Sequence, residues 1–145
     1  MEVKIARIHP DAKIPEYKTS GAGCFDFAAL VDTLVNPKEI TKIRTGLVAQ
    51  IPAGYFLAIA IRSSLPKLGL RMPNGLGVID SDYCGPDDEI FILIENVTST
   101  SIRIEKGQRI AQGYLVNSPI VSWQEISRNY LGKKSRGGFG STGHK

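Results

Sequence analysis

The sequence predicts an all-β domain, a sandwich or barrel of short strands, and three observations carry that prediction. Short segments rich in β-branched and aromatic residues recur along the chain, many alternating apolar with polar positions. Turn-forming clusters of Gly, Pro, Asn and Asp separate them. No segment sustains the i, i+3, i+4 apolar spacing of an amphipathic helix.

The strands are expected, in chain order, at 3–8 (VKIARI), 40–49 (ITKIRTGLVA), 55–61 (YFLAIAI), 89–95 (EIFILIE), 101–104 (SIRI), 109–116 (RIAQGYLV) and 121–126 (VSWQEI). Between them stand NPKE at 36–39, IPAG at 51–54, YCGPDD at 83–88, EKGQ at 105–108 and NSP at 117–119. The one helical stretch is SSLPKLG at 63–69, with serine as N-cap and Gly69 as stop. FLAIAI and IFILI are apolar on both faces, which places such strands centrally or against another subunit. The body is read as one domain over 1–126, followed by a flexible glycine-rich arm over 127–145.

Composition narrows the function. With 145 residues, 42% hydrophobic and 22% charged, the chain suits one water-soluble domain with a real core. No apolar run reaches the ~20 residues of a membrane span. The opening MEVKIARIHP lacks a signal peptide's apolar stretch, so a cytoplasmic location is expected. Cys24 and Cys84, with His9 and His144, make neither a metal spacing nor a disulfide framework. The formal net charge of +4 is uneven: no acidic residue follows Glu125, and Arg128, Lys133, Lys134, Arg136 and Lys145 are all cationic. The remaining 13 Lys and Arg face 14 Asp and Glu, so the first 125 residues sum to −1. A short basic, glycine-rich terminus suits a compact anion such as a phosphate chain, or loose attraction to RNA or DNA.

Four body segments are too polar or too glycine-rich for strand filler: GAGCFDFAA (21–29), RSSLPKLG (62–69), NGLGVIDSDYCG (74–85) and GQRIAQ (107–112). Singly, each has a bland explanation. Asp26 could face water from a strand, Ser63 could cap a helix, Asn74-Gly75 could be a plain turn, and Asp80 with Asp82 could flank one. In this order, and with RGGFGSTG at 136–143, they resemble the five motifs of the homotrimeric all-β deoxyuridine triphosphatases (dUTP diphosphatases).

That resemblance implies a distorted jelly-roll or β-clip barrel, a homotrimer with active sites at subunit interfaces, and Mg²⁺-dependent hydrolysis of dUTP to dUMP and pyrophosphate. Such an activity keeps uracil out of DNA and supplies dUMP for dTMP synthesis. By resemblance, Asp80 is the general base that activates water for attack on the α-phosphorus. Asn74 and the backbone at Gly77, in a β-hairpin, read the uracil edge, and Tyr83 packs on the deoxyribose and excludes a 2′-hydroxyl. Arg62, Ser63, Ser64 and Gln112 hold the phosphates, helped by the amides of the short helix. Arg136, Gly140, Ser141 and Thr142 clamp them from the arm, while Phe139 stacks on uracil. Asp26 acts on Mg²⁺ indirectly, through metal-bound water, as suits an ion held mainly by substrate phosphates. Neither membrane association nor stable nucleic-acid binding is expected.

The match has departures. Ile61 replaces the usual proline or glycine, Gln108 replaces a common acidic residue, and PDDE at 86–89 adds about three residues after Gly85. The alternatives are a dCTP deaminase or bifunctional deaminase of the same fold, and a non-catalytic β-trimer that binds nucleic acid through its basic tail. Deamination would need a glutamate three residues before Asn96, where Leu93 stands, and an arginine just before the Ile79-Asp80 pair, where Val78 and Gly77 stand.

Overall fold

The computed structural model describes residues 1–132, 134–135 and 137–138. Its strands are β1 (Lys4–Arg7), β2 (Phe25–Ala28), β3 (Thr33–Val35), β4 (Ile40–Arg44), β5 (Leu47–Gln50), β6 (Tyr55–Ile61), β7 (Leu70–Arg71), β8 (Gly77–Ile79), β9 (Phe91–Asn96), β10 (Ile102–Ile104) and β11 (Arg109–Asn117). All pairings are antiparallel. The largest sheet has the order β2-β11-β6-β8; a second runs β4-β9-β7, and β1-β5 and β3-β10 form two-stranded ribbons. The all-β class holds, with the ladders as separate sheets rather than one closed barrel among the described residues. None of the described helices is long and apolar enough to cross a membrane.

One core joins the layers. Phe27, Val35, Ile43, Leu47, Leu57, Ile59, Leu70, Ile92, Ile94, Ile104 and Ile110 meet in a single buried cluster, to which nearly every strand contributes. β9 alternates as a half-buried strand should, with Ile92, Ile94 and Asn96 inward. β6 lies in the interior of its sheet, between β11 and β8, and buries Leu57, Ala58 and Ile59 consecutively, so both its faces are shielded at its centre. The doubly apolar FLAIAI segment is therefore a central strand.

The structure corrects several expected boundaries. The single strand over 40–49 is two strands in different sheets, broken at Thr45-Gly46. Gly46 has φ +69, and a Cβ there would lie 2.9 Å from that of Ala12, so the corner needs glycine twice over. The helix over 63–69 is only a 3₁₀ turn, Pro66–Leu68, with Leu65 rather than Ser63 at the N-cap and no side-chain cap. Gly69, in the left-handed conformation, does end it. Residues 121–126 form no strand: no ladder partner lies beside them among the described residues, and Ile120 and Trp123 are 97% and 94% exposed. β2, β3, β7 and β8 are additional strands.

Two buried polar side chains tie loops to the core. Asn96 is fully buried and uses its whole amide, donating to the carbonyls of Val35 (2.9 Å) and Thr100 (2.7 Å) and accepting from the Thr98 amide (2.9 Å) and hydroxyl (2.7 Å). Glu89, 5% exposed, accepts from the Gly46 amide at 2.7 Å and pairs with Arg44 at 3.0 Å.

Candidate functional site

The site begins with a register. In the largest sheet Asp26 on β2 lies opposite Gln112 on β11, which lies opposite Ala60 on β6. Paired residues of an antiparallel ladder share a face, so Asp26 and Gln112 project together, joined by Arg62 two residues beyond Ala60. The Arg62 amide donates to the Ile110 carbonyl at 3.1 Å, which holds the chain against β11 just past the end of β6.

Arg109 reaches this face through an irregularity. Ala111 pairs with Phe27, but Arg109 pairs with Ala28, so Ile110 is an extra residue on β11. In an unbroken ladder Arg109 would share the inward face of Ala111, which is fully buried. The bulge turns Ile110 into the core and Arg109 out beside Asp26, the re-aiming that bulges perform.

The charges then close on one another. Arg109 Nη1 donates to Asp26 Oδ2 at 2.8 Å. Arg62 Nε lies 3.3 Å from Asp26 Oδ1, and Arg62 Nη1 is 3.5 Å from the Arg109 carbonyl, at the limit of a hydrogen bond. The Asp26 side chain is only 13% exposed, so two guanidinium groups hold its charge at the edge of the core. Around it opens a cleft of about 290 Å³, lined by Lys18, Asp26, Arg62, Ser63, Arg109 and Gln112 among others. Lys18, Arg62 and Arg109 outnumber Asp26 and the Glu16 beside Lys18 by one charge, and with a hydroxyl and an amide this lining suits an anion. Lys18 also pairs with Glu16, whose carboxyl the ammonium holds below its ordinary value of 4.5.

The cleft thus gathers Asp26, Arg62, Ser63 and Gln112 from the expected set. Ser64 is exposed beside it but does not line it. The short helix is one 3₁₀ turn, in which the amides of Leu65, Leu68 and Gly69 donate to the carbonyls of Arg62, Leu65 and Pro66 rather than toward the cleft. Arg109 and Lys18 went unassigned in the sequence. Arg109 stands inside GQRIAQ, but its direction depends on a bulge that no sequence periodicity announces.

The other expected residues lie elsewhere in the chain. Gly77 opens β8, where Ile79 faces Leu57, five residues before Arg62 on the neighbouring strand. At ~3.3 Å per residue, that places Asp80 more than about 16 Å along the sheet from Arg62. Asn74, Asp80 and Tyr83 are exposed, and none lines the cleft. The stretch is also not a two-stranded hairpin: β8 pairs only with β6 among the described strands, and turns flank it. Gly75 (φ +70) makes the first turn, and the Tyr83 amide donates to the Asp80 carbonyl at 3.2 Å in the second. Arg136, Phe139, Gly140, Ser141 and Thr142 lie outside the described residues. Leu93, where a deaminase would need its glutamate, is a half-buried residue of β9, three residues before Asn96.

A family model described as dUTPase matches residues 10–143. A deoxyuridine 5'-triphosphate nucleotidohydrolase of Nautilia profundicola is 38% identical over 147 residues, covering 99% of each chain. That of Helicobacter pylori strain J99 is 33% identical over 144 residues, covering 99% of this chain and 97% of its own. Among solved structures, the dUTPase of Streptococcus mutans matches with a TM-score of 0.75 at 27% identity, over 82% of this chain and 98% of that one. A mutant dUTPase of Staphylococcus bacteriophage 80alpha, solved with dUpNHpp, matches with a TM-score of 0.85 at 22% identity over 98% of both chains, a likeness of fold.

Proposed function

This chain belongs to the dUTPase family, and from that premise we propose that it hydrolyses dUTP to dUMP and pyrophosphate at a site composed by more than one copy of the chain. The observation that carries the reading is the cationic cleft, in which the Asp26, Arg62-Ser63 and Gln112 segments converge from three strands.

Phosphoryl transfer asks for positioning and for stabilisation of charge. Arg62, Ser63 and Gln112 would donate to the phosphate oxygens, with Ser64 at the rim and Arg136, Gly140, Ser141 and Thr142 closing from the arm. Asp80 would orient the attacking water and accept its proton, Asn74 and the Gly77 backbone would read uracil, Tyr83 would pack on the sugar, and Phe139 on the base.

Arg62 and Asp80 stand more than about 16 Å apart within one chain, so the cleft of a single copy lacks its own Asp80. A ring of three copies, each lending β8 and its following turn to the cleft of a neighbour, would complete it. Exposed apolar residues such as Val78 beside Asp80, and Ile120 and Trp123 near the chain end, support burial between copies.

Magnesium fits this donor set only indirectly. No group of three or more His, Cys, Asp and Glu side chains comes together among the described residues. Asp26 has each oxygen engaged by one guanidinium, leaving lone pairs free to accept from metal-bound water. Mg²⁺ carried by the phosphates would supply charge neutralisation there, with Asp26 orienting its water shell. We place the reaction in the cytoplasm, where it keeps uracil out of DNA and yields dUMP for thymidylate synthesis.

The test is a substrate panel. With Mg²⁺, the protein should release pyrophosphate from dUTP and not from dCTP, dTTP or UTP, and Asp80→Asn should abolish that release. Ammonia from dCTP, or indifference to the base, would refute the reading.

A further inference from the structure

We propose that Arg109 is a positioning residue, which acts through Asp26 to hold the Arg62 guanidinium in its phosphate-binding orientation; the inference rests on the reading of the cleft as the phosphate site.

Three independent features converge. The bulge at Ile110 sets Arg109 on the face of Asp26 and Gln112, where an unbroken β11 would have buried it. Its guanidinium then spends a donor on Asp26 Oδ2 (2.8 Å), while the other carboxylate oxygen is left to Arg62 Nε (3.3 Å). The Arg109 carbonyl faces Arg62 Nη1 at 3.5 Å, so the same residue touches both members of the pair, Asp26 with its side chain and Arg62 with its backbone. Asp26 is thereby fixed from one side and acts as a rigid acceptor on the other. A long arginine side chain free in a cleft would lose rotamer entropy on every phosphate contact, and an acceptor fixed in advance removes much of that cost.

The arrangement also sets the charge. Alone, Asp26 would cancel Arg62 and leave an electrically neutral pair facing the phosphates. The second arginine restores a net positive pair-plus-one, so Arg62 can be oriented by a carboxylate without the site losing its attraction for a polyanion.

A double-mutant cycle tests this on the full-length protein. The probes are affinity for a non-hydrolysable α,β-imido dUTP, affinity for dUMP, and dUTP turnover. Arg109→Ala is expected to weaken the triphosphate analogue about 10- to 100-fold, to weaken dUMP much less, and to be partly rescued in Arg109→Lys. In an Asp26→Asn background, Arg109→Ala should cost little more, because the path through Asp26 is already broken. Equal losses in both backgrounds would mean that Arg109 acts on the phosphates by itself, and would overturn the proposal. Equal losses for dUMP and the triphosphate analogue would reduce Arg109 to general support of the fold, and would overturn it too. Absence of dUTP turnover in the wild type would instead refute the reading of the function, leaving the affinity cycle to judge Arg109 separately.

Discussion

The hydroxyl of Tyr83 donates to the main-chain carbonyl of Glu89 at 3.1 Å, and the carboxylate of that same Glu89 is buried against Arg44 and the Gly46 amide. The turn carrying Asp80 and Tyr83 is therefore moored to the corner between β4 and β5. The PDDE stretch at 86–89 makes that mooring: Asp88 Oδ2 accepts from the Gly85 amide at 2.7 Å, and the chain then turns Glu89 inward.

Removing the anchor should cost stability. Glu89→Ala leaves the buried Gly46 amide without its partner and is expected to destabilise the fold by about 2–3 kcal/mol, toward the low end for a buried pair because Arg44 is half exposed. Urea unfolding measures this, and Glu89→Gln should lose less, since the amide oxygen still accepts from Gly46.

Tyr83→Phe keeps the ring and cuts the tether. A loss of about 1 kcal/mol is expected in the same experiment. With the ring no longer held, discrimination between dUTP and UTP, read as the ratio of kcat/KM, should fall several-fold while the rate with dUTP changes less. An unchanged ratio would show that the tether does not serve selectivity.

Gly46→Ala meets two obstacles, a φ of +69 and a Cβ 2.9 Å from that of Ala12. The expected cost is about 1–3 kcal/mol, a fall in Tm of several degrees for a chain of this size. Calorimetry at matched scan rates gives the answer.

Acid should weaken the fold in a salt-dependent way. The Lys106 amide and Arg103 hold Asp32 below its ordinary 3.8, Lys106 does the same for Asp11, and Arg71 holds Glu95 below 4.5. A depressed folded value means that the folded state binds these protons less readily than the unfolded chain. The contribution is fully present above the ordinary values and is lost as pH falls below about 4.5 through the depressed ones. Asp11 and Asp32 are exposed and Glu95 is half-buried beside an exposed Arg71, so the urea midpoint should drop modestly on acidification at low salt and less at high salt.

Much of this was legible in the chain and some was not, for physical reasons. β6, β10 and β11 stand out because strand composition and turn chemistry agree there. The segment 40–49 reads as one strand because its break at Thr45-Gly46 costs a single residue of left-handed backbone, which pattern alone does not reveal. Residues 121–126 have strand composition but no partner among the described residues, and strands are made by pairing. Asp26, Arg62, Ser63 and Gln112 emerged from their motifs, and register explains their meeting. Arg109 did not, because one bulged residue reverses the face that its position predicts.

Complementation between two inactive chains decides whether a dUTP-cleaving site is shared between copies. Arg62→Ala and Asp80→Asn chains, each inactive alone, would be co-expressed and assayed on dUTP. Random ring trimers in which one chain lends its cleft and a neighbour lends Asp80 should recover about a quarter of the wild-type rate. A mixture as inactive as its two parents, from trimers shown to contain both chains, would contradict the shared site.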